Sequence, residues 1–598
     1  MDYRAVTSLP AMFFAQAERL ADRPFLWRKQ DGAYRSLSYG EAGRQVSLLA
    51  RGLIDLGVGP GDRIALVAEN RPEWLIADHA IMATGALTVP AFTTNTTADH
   101  THVLTHSGAK GAIISGKAIA KRFLPAALES PDLAFVVSME PLDLAQEPSV
   151  RVFSWAQVLA QGAKRPEDEL SARVAQIERN GVCCLIYTSG TGGVPRGVML
   201  THGSILCNLR GCFEVLKGFG LGEEVFLSFL PLSHSYEHTA GQFFPVSIGA
   251  QIYYAESVDR LLDNMAEARP TLMMAVPRLY EVMHQRIMRA MERTTGLRRQ
   301  LFDLALKLGR ERYERGGRLS LWQTAADRLV ETLVRRKVRQ RFGGRLLGFV
   351  SGGAALNHEI ALFFTGLGVR ILQGYGQTET SPVVSVNLPE KIKLHTVGPP
   401  LTDVEIKIAG DGEILVRGEA VMRGYWRDPE GTAAAIRDGW LHTGDIGMFD
   451  GDNYLQITDR KKDIIVLSGG DNVSPARVEG FLCLEPEIAQ AMVYGDKKPH
   501  LVALLVPDAE FAAGWARRAG KAPDLDALIE DADFLRTLSA ALDRVNTRLS
   551  SIERIRRFLP AAEPFSTDNG MLTPSLKIRR HKIRERYGEG LERLYSKA

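Results

Sequence analysis

Cysteine is scarce in this sequence. Five occur in 598 residues: Cys183, Cys184, Cys207, Cys212 and Cys483. An odd, sparse set with no C-x-x-C spacing argues against a disulfide framework and a zinc site, and fits a reducing, cytoplasmic setting. Long apolar runs are missing too. The most apolar long stretch, 75–92, is broken by Asp78 and His79, so no spanning helix is expected. The opening Met-Asp-Tyr-Arg-Ala-Val lacks the basic and apolar regions of a secretory signal. Tandem repeats and low-complexity tracts are absent. Neither charge sign dominates: 73 Lys/Arg stand against 70 Asp/Glu, a net charge of +3. That excludes a wholly basic polyanion binder. With 45% hydrophobic and 24% charged residues, the composition is that of a globular protein, not a disordered chain.

The balance hides one uneven region. Residues 286–345 hold 17 Lys/Arg and 6 Asp/Glu, a net of +11, which leaves the remainder at −8. Leu301, Leu304, Ala305 and Leu308 recur at helical spacing, as do Leu329, Leu333 and Val334. Two basic helices joined near Gly316-Gly317 are expected. A basic amphipathic helix suits an anionic membrane surface; the competing reading is a solvated insertion that offsets the acidic remainder. No aromatic-rich platform accompanies the charges, so nucleic acid is not expected as a partner.

Short β-branched or apolar runs at 63–68, 182–187, 225–230, 251–254, 272–276, 347–351 and 369–373 alternate with helical patterns. Such alternation indicates mostly parallel sheets covered by helices, an α/β protein. From about residue 404 the texture changes. Residues 404–408 and 413–417 flank Gly410-Asp411-Gly412 and read as a β-hairpin in a β-rich subdomain. The five charges of 459–463 read as an exposed connector. The boundary placed there divides a large domain, 1–459, from a small α+β domain, 460–598.

The strongest local signal is Thr188-Ser189-Gly190-Thr191-Gly192-Gly193-Val194-Pro195-Arg196, between a strand at 182–187 and a second at 198–200, with Thr201 as N-cap of the next helix. Glycines let backbone N–H groups approach phosphate oxygens, hydroxyls add donors, and Arg196 offers a cation. The spacing fits neither a Walker A loop nor a dinucleotide fingerprint. Cys183 and Cys184 lie in the preceding strand and read as core, not as nucleophiles.

This loop resembles the phosphate-binding signature of the adenylate-forming superfamily of acyl-CoA synthetases, luciferases and peptide-synthetase adenylation domains. The resemblance continues in order: Ser351-Gly352-Gly353-Ala354; Gln373-Gly374-Tyr375-Gly376-Gln377-Thr378-Glu379; Thr443-Gly444-Asp445; Asp459-Arg460-Lys461-Lys462; Ser468-Gly469-Gly470; Val473-Ser474-Pro475. Four further stretches are similar to the long-chain fatty acyl-CoA synthetase branch. They are Glu69-Asn70-Arg71-Pro72-Glu73-Trp74, Leu230-Pro231-Leu232-Ser233-His234, Val276-Pro277-Arg278 and Leu572-Thr573-Pro574-Ser575-Leu576-Lys577.

The resemblance implies ATP-dependent activation of a long-chain fatty acid to an acyl-adenylate, then transfer to coenzyme A with release of AMP. It implies that residues 188–196 hold the triphosphate and that Glu379 holds Mg²⁺ with Thr188. Gly352, Gly353, Ala354, Gln373, Gly374, Tyr375, Gly376 and Thr378 would surround the nucleotide, and Asp445 would bind the ribose with Arg460 nearby. Lys577 would bridge the substrate carboxylate and α-phosphate. Lys462 would be the hinge about which a mobile C-terminal domain turns, bringing Ser468, Gly469 and Gly470 to the pantetheine path. His234 is open between proton transfer from the thiol and packing of the acyl-site wall.

Three positions depart from the family pattern: Gly192 for threonine, Arg196 for lysine, and Asp471 where the long-chain branch often has glutamate. Rival readings are a fatty acyl-AMP ligase passing its adenylate to a carrier protein, a short-chain or aryl acid–CoA ligase, and a non-catalytic fatty-acid binder. Chain length and oligomeric state stay open, a homodimer included.

Overall fold

A computed structural model describes the chain apart from residues 143–148, 189–193, 462, 574–576 and 597–598. Two eight-stranded sheets dominate it. The first runs, edge to edge, Val383–Val386, Ile371–Gly376, Gly348–Ser351, Leu272–Ala275, Val225–Ser228, Gln251–Tyr254, Pro24–Gln30, Ala33–Ser38. Its six inner strands are parallel and only the two edges antiparallel. Helices cover it, so inner strands such as Leu272–Ala275 and Gly348–Ser351 are buried at every residue. That accounts for their continuous apolar sequence, in place of an alternating one.

The second sheet is ordered Gly424–Tyr425, Arg196–Thr201, Val182–Thr188, Leu87–Pro90, Arg63–Val67, Gly111–Ile114, Phe135–Ser138, Arg151–Ser154. The glycine-rich segment therefore joins two antiparallel neighbours, with Thr188 paired to Arg196, as expected. Thr201 then caps the helix His202–Leu216 through a reciprocal capping box with Ser204. Cys183 and Cys184 are fully buried.

The hairpin Glu405–Ile408 and Glu413–Arg417 forms as read from the sequence, and Trp440–Phe449 and Leu455–Arg460 extend it into a five-stranded antiparallel sheet. After Ile464 the chain builds its own cores around Ile488–Tyr494, Leu501–Pro507 and Ile555–Pro560.

In the basic region the turn does fall at Gly316-Gly317, where both glycines take positive φ (+59° and +87°). The helix before it, Leu297–Glu314, buries Ala305 and Leu308 as expected. The helix after it needs a correction. Leu321–Val330 continues through Glu331–Arg335 into Arg336–Arg341; it buries Val330 and packs Val334 against the core, but leaves Leu329 and Leu333 exposed. Periodicity reveals that an apolar face exists; it does not say which medium the face meets. Among the described residues, no helix is long and apolar enough to cross a membrane.

Candidate active site

The parallel strands of the first sheet are aligned so that their carboxyl ends lie together: Ala275 pairs with Ser351, and Ser351 with Gln373. The chain segments that follow these ends are the motif segments, and the outer mouth of a parallel sheet is where α/β proteins bind ligands. Two glycines allow the close packing there. A Cβ at Gly376 would collide with the Pro382 carbonyl, and one at Gly352 would sit 3.2 Å from the Tyr236 ring. Tyr236 in turn donates to the Val350 carbonyl at 2.8 Å.

Asp445 is the centre of one cluster. It is 4% exposed, and its Oδ2 accepts from the Tyr375 hydroxyl and from Gln377 Nε2, both at 2.7 Å. Its Oδ1 lies 3.4 Å from Arg460 Nε. Gln377 also donates to the Thr443 carbonyl at 2.8 Å, which fixes its amide orientation. Burial, with the adjacent Asp445 charge, raises the Tyr375 pKa well above its ordinary value, so Tyr375 stays a neutral donor. An ionised carboxylate held by three donors keeps further lone pairs for a pair of hydroxyls.

Glu379 forms a second cluster. Its Oε1 accepts from the Tyr425 hydroxyl at 3.0 Å, and its carbonyl accepts from the Met422 N–H at 2.8 Å. Arg196 lies 5.3 Å above the same Tyr425 ring and 3.6 Å from Asp428. The Thr378 and Ser235 hydroxyls are hydrogen-bonded at 2.9 Å. A single carboxylate such as Glu379 is the kind of donor set that suits Mg²⁺, which keeps waters and takes few protein ligands. Among the described residues no cluster of three or more His, Cys, Asp or Glu could hold a metal by itself.

Lys577 reaches this site from the far end of the chain. Its N–H donates to Thr573 Oγ1 at 3.0 Å and its carbonyl accepts from the Thr573 N–H at 2.8 Å. Burial pushes the Lys577 ammonium down to about 8; Arg460 acts in the same direction, and Asp445 and Glu379 oppose it. His234 is driven down to about 4 by burial, then by the Lys577 charge. Its Nδ1 accepts from the Tyr236 N–H at 3.2 Å, so the neutral ring carries its proton on Nε2.

The remaining expected residues are placed unevenly. Ser189, Gly190, Thr191, Gly192 and Lys462 lie outside the described residues. Gln373 is buried, and its amide donates to the Leu394 carbonyl at 2.5 Å, which occupies it within the core. Ser468, Gly469 and Gly470 are exposed on the turn between Ile465–Val466 and Asn472–Val473.

Several supporting residues carried no sequence signal of their own. Arg580, inside a basic run, forms a forked pair with Glu479 at 2.5 and 2.8 Å. His102 Nε2 lies 2.9 Å from the Pro195 carbonyl, beside the glycine-rich segment. Arg289 reaches across to Asp508 at 2.7 Å and to Glu510.

Residues 13–426 match the model of the AMP-binding enzyme family, and residues 462–598 match the AMP-binding enzyme C-terminal domain. The chain is 34% identical to the long-chain-fatty-acid–CoA ligase FadD15 of Mycobacterium bovis, over 99% of this chain and 97% of that protein. It is 32% identical to the peroxisomal long chain acyl-CoA synthetase 6 of Arabidopsis thaliana, over 94% of this chain and 82% of that one. Among solved structures, the adenylation domain of a carboxylate reductase from Mycobacterium chelonae superposes with a TM-score of 0.77 at 22% identity, covering 99% of this chain and 92% of that chain. An anthranilate CoA ligase in complex with anthranoyl-AMP gives 0.75 at 19% identity, covering 99% of each. The motifs, the fold and these full-length matches agree: the chain belongs to the AMP-binding enzyme family.

Proposed function

We propose that the protein is a long-chain fatty acid–CoA ligase that works through an acyl-adenylate. The observation that carries this reading is that Lys577, from the far end of the chain, comes close enough to feel the charges of Arg460, Asp445 and Glu379. Nothing in the local sequence of either region requires it.

A carboxylate is a poor acyl donor because its leaving group is poor. In the first half-reaction a carboxylate oxygen attacks the α-phosphorus of ATP, the α–β bridging P–O bond breaks, and pyrophosphate leaves. Two anions must approach, and a Lys577 ammonium between them offsets their repulsion. Asp445 holds the ribose hydroxyls, Tyr375 lies along the base, and Thr188, Arg196 and the glycine-rich segment hold phosphates. Mg²⁺ held by Glu379 and Thr188 would neutralise phosphate charge.

In the second half-reaction the thiol of coenzyme A gives its proton to solvent, the sulfur attacks the acyl carbonyl carbon, and the bond from that carbon to the phosphate oxygen breaks to release AMP. His234 already accepts at Nδ1 and carries its proton at Nε2. That arrangement supports a donor on the acyl-site wall, not the acceptor of the thiol proton. The chain beyond Lys462 turns about the segment around that residue, withdrawing Lys577 and bringing Ser468, Gly469 and Gly470 to the pantetheine path, while Arg460 stays paired with Asp445 in the sheet of the large part. The long-chain substrate partitions into bilayers, and an anionic membrane surface is proposed as the protein's docking partner.

The test is the release of AMP and pyrophosphate across a series of fatty-acid chain lengths, with and without coenzyme A. Turnover dependent on both a long chain and coenzyme A is expected. Accumulation of adenylate that coenzyme A does not consume would overturn the ligase reading in favour of an acyl-AMP ligase. Preference for short or aryl acids would overturn the chain-length assignment.

A further inference from the structure

The helix Leu321–Val330 and its continuation to Arg341 turn Ala326, Val330 and Val334 toward the core, as a surface helix does, but carry a second set of apolar side chains on the solvent face. Its exposed positions are 321, 322, 325, 328, 329, 332, 333, 336, 337, 340 and 341, one continuous face. On that face stand Leu321 (94% exposed), Trp322 (80%), Leu329 (51%) and Leu333 (39%). Leu297, at the start of the preceding helix, is 70% exposed.

The inward face, by contrast, encloses an ion pair. Arg335 meets Asp327 at 2.7 Å, donates to the Gly366 carbonyl at 2.8 Å, and donates to the Ala305 carbonyl at 3.2 Å. Val330 packs beside this pair against Ala305 and Leu308. The polar contacts thus fix the helix to the protein and leave its largest apolar side chains in water. Such an arrangement costs stability unless another medium covers those side chains.

The charges say which medium. Arg328, Arg336 and Lys337 share the exposed face, and among the described residues none of the three has a carboxylate partner. Arg315 and Arg318 flank the turn that leads into the helix, and both are exposed. A tryptophan with leucines beneath a rim of unpaired arginine and lysine is complementary to acyl chains beneath anionic headgroups. The face is about 25 Å long at the rise of a helix.

We propose that this face, centred on Leu321, Trp322, Leu329 and Leu333, is the surface that inserts into an anionic lipid bilayer. The inference rests on the proposed membrane partnership and assigns it to one helix.

The test is flotation of the full chain with vesicles of phosphatidylcholine alone and of phosphatidylcholine mixed with phosphatidylglycerol. Two variants are compared with the wild type: Leu321→Ser with Trp322→Ser, and Arg328→Glu with Arg336→Glu and Lys337→Glu. All five side chains are exposed, so both variants should unfold at the wild-type temperature. Wild type is expected to float with the mixed vesicles. The apolar variant is expected to lose at least about tenfold in partitioning, and the charge variant its preference for phosphatidylglycerol. Failure of the wild type to float would overturn the membrane partnership itself. Flotation of both variants at the wild-type level would overturn only the choice of this face. Sedimentation showing a dimer that the apolar variant dissociates, with no flotation, would assign the face to a second copy of the chain.

Discussion

The two halves of the site are held in opposite ways. On the nucleotide side Asp445 is already in contact with Tyr375, Gln377 and Arg460. The Lys577 side arrives on the last part of the chain, and the links found between the two parts are few. They include Arg289 with Asp508 and Glu510, and Asn357 Nδ2 donating to the Gly480 carbonyl at 2.9 Å. The difference teaches how one protein serves two half-reactions. In the proposed cycle the donors needed in both steps are prearranged and need no reorganisation when charge develops, and the cation needed in one step is mounted where it can leave.

The sharpest way to break this comparison is to remove the cation. Lys577→Ala is expected to slow acyl-adenylate formation by about a thousandfold, in line with the loss of a preorganised charge partner. Thioester formation from supplied acyl-adenylate should stay within about twofold, since AMP departs without it. Stopped-time assays of each half-reaction would read both numbers. Equal losses would mean that the two sides of the site work as one.

Asp445→Asn probes the prearranged side and should behave differently. It trades an ionised acceptor for a neutral one, a change on the order of 2 kcal/mol for hydrogen bonds to charge. The KM for ATP should rise by roughly thirtyfold. Because the ribose is bound in both steps, the apparent affinity for supplied acyl-adenylate should weaken by a similar factor. An effect confined to adenylation would contradict the proposed ribose role.

Acidity separates the halves again. The buried Lys577 ammonium titrates near 8 in the free protein, below its ordinary 10.5. Its depressed pKa means that the charged form dominates below about pH 8 and is lost as pH rises through that value. The pH profile of kcat/KM for adenylation reports the free enzyme, so it should fall about tenfold per unit above pH 8. The thioester step should lack this limb. A profile for adenylation that stays flat to pH 10 would show that the lysine charge is not required.

Much of this was legible in the residues, and the remainder was illegible for definite reasons. Strand runs such as 183–187 and 272–275 declared themselves because full burial demands uninterrupted apolar residues. The segment beginning at Thr188 could be read as a link between strands because Val198 to Leu200 repeats the β pattern before the Thr201 cap. Arg580 could not be distinguished from its basic neighbours, because pairing with Glu479 depends on how Pro475–Leu482 packs against Ile488–Tyr494, a tertiary matter. Gln373 sits next to the glycine–tyrosine motif in sequence, yet strand alternation turns its amide toward Leu394. The outward apolar face of Leu321–Val330 was hidden for a related reason: both faces of that helix carry apolar residues, and burial of the Asp327–Arg335 pair selects between them.

The smallest expected effect is the most discriminating. Arg289 bridges Asp508, which is itself the N-cap of Ala509–Ala519, and Glu510 in that helix's first turn. The contact is present in the arrangement that holds Lys577 in the site, and the proposed turn of the small part would break it. Partly exposed ion pairs contribute about 0.2–1 kcal/mol, which converts to a population shift of at most about fivefold. Arg289→Ala should therefore slow adenylation by about threefold. The same shift enlarges the fraction of molecules free to turn, so thioester formation from supplied acyl-adenylate should hold steady or rise. A change of opposite sign in the two half-reactions, from a residue that touches neither substrate, is the signature of a two-position domain. A parallel fall in both would mean that Arg289 merely stabilises the fold, and the contrast between a fixed wall and a movable lysine would lose its physical basis.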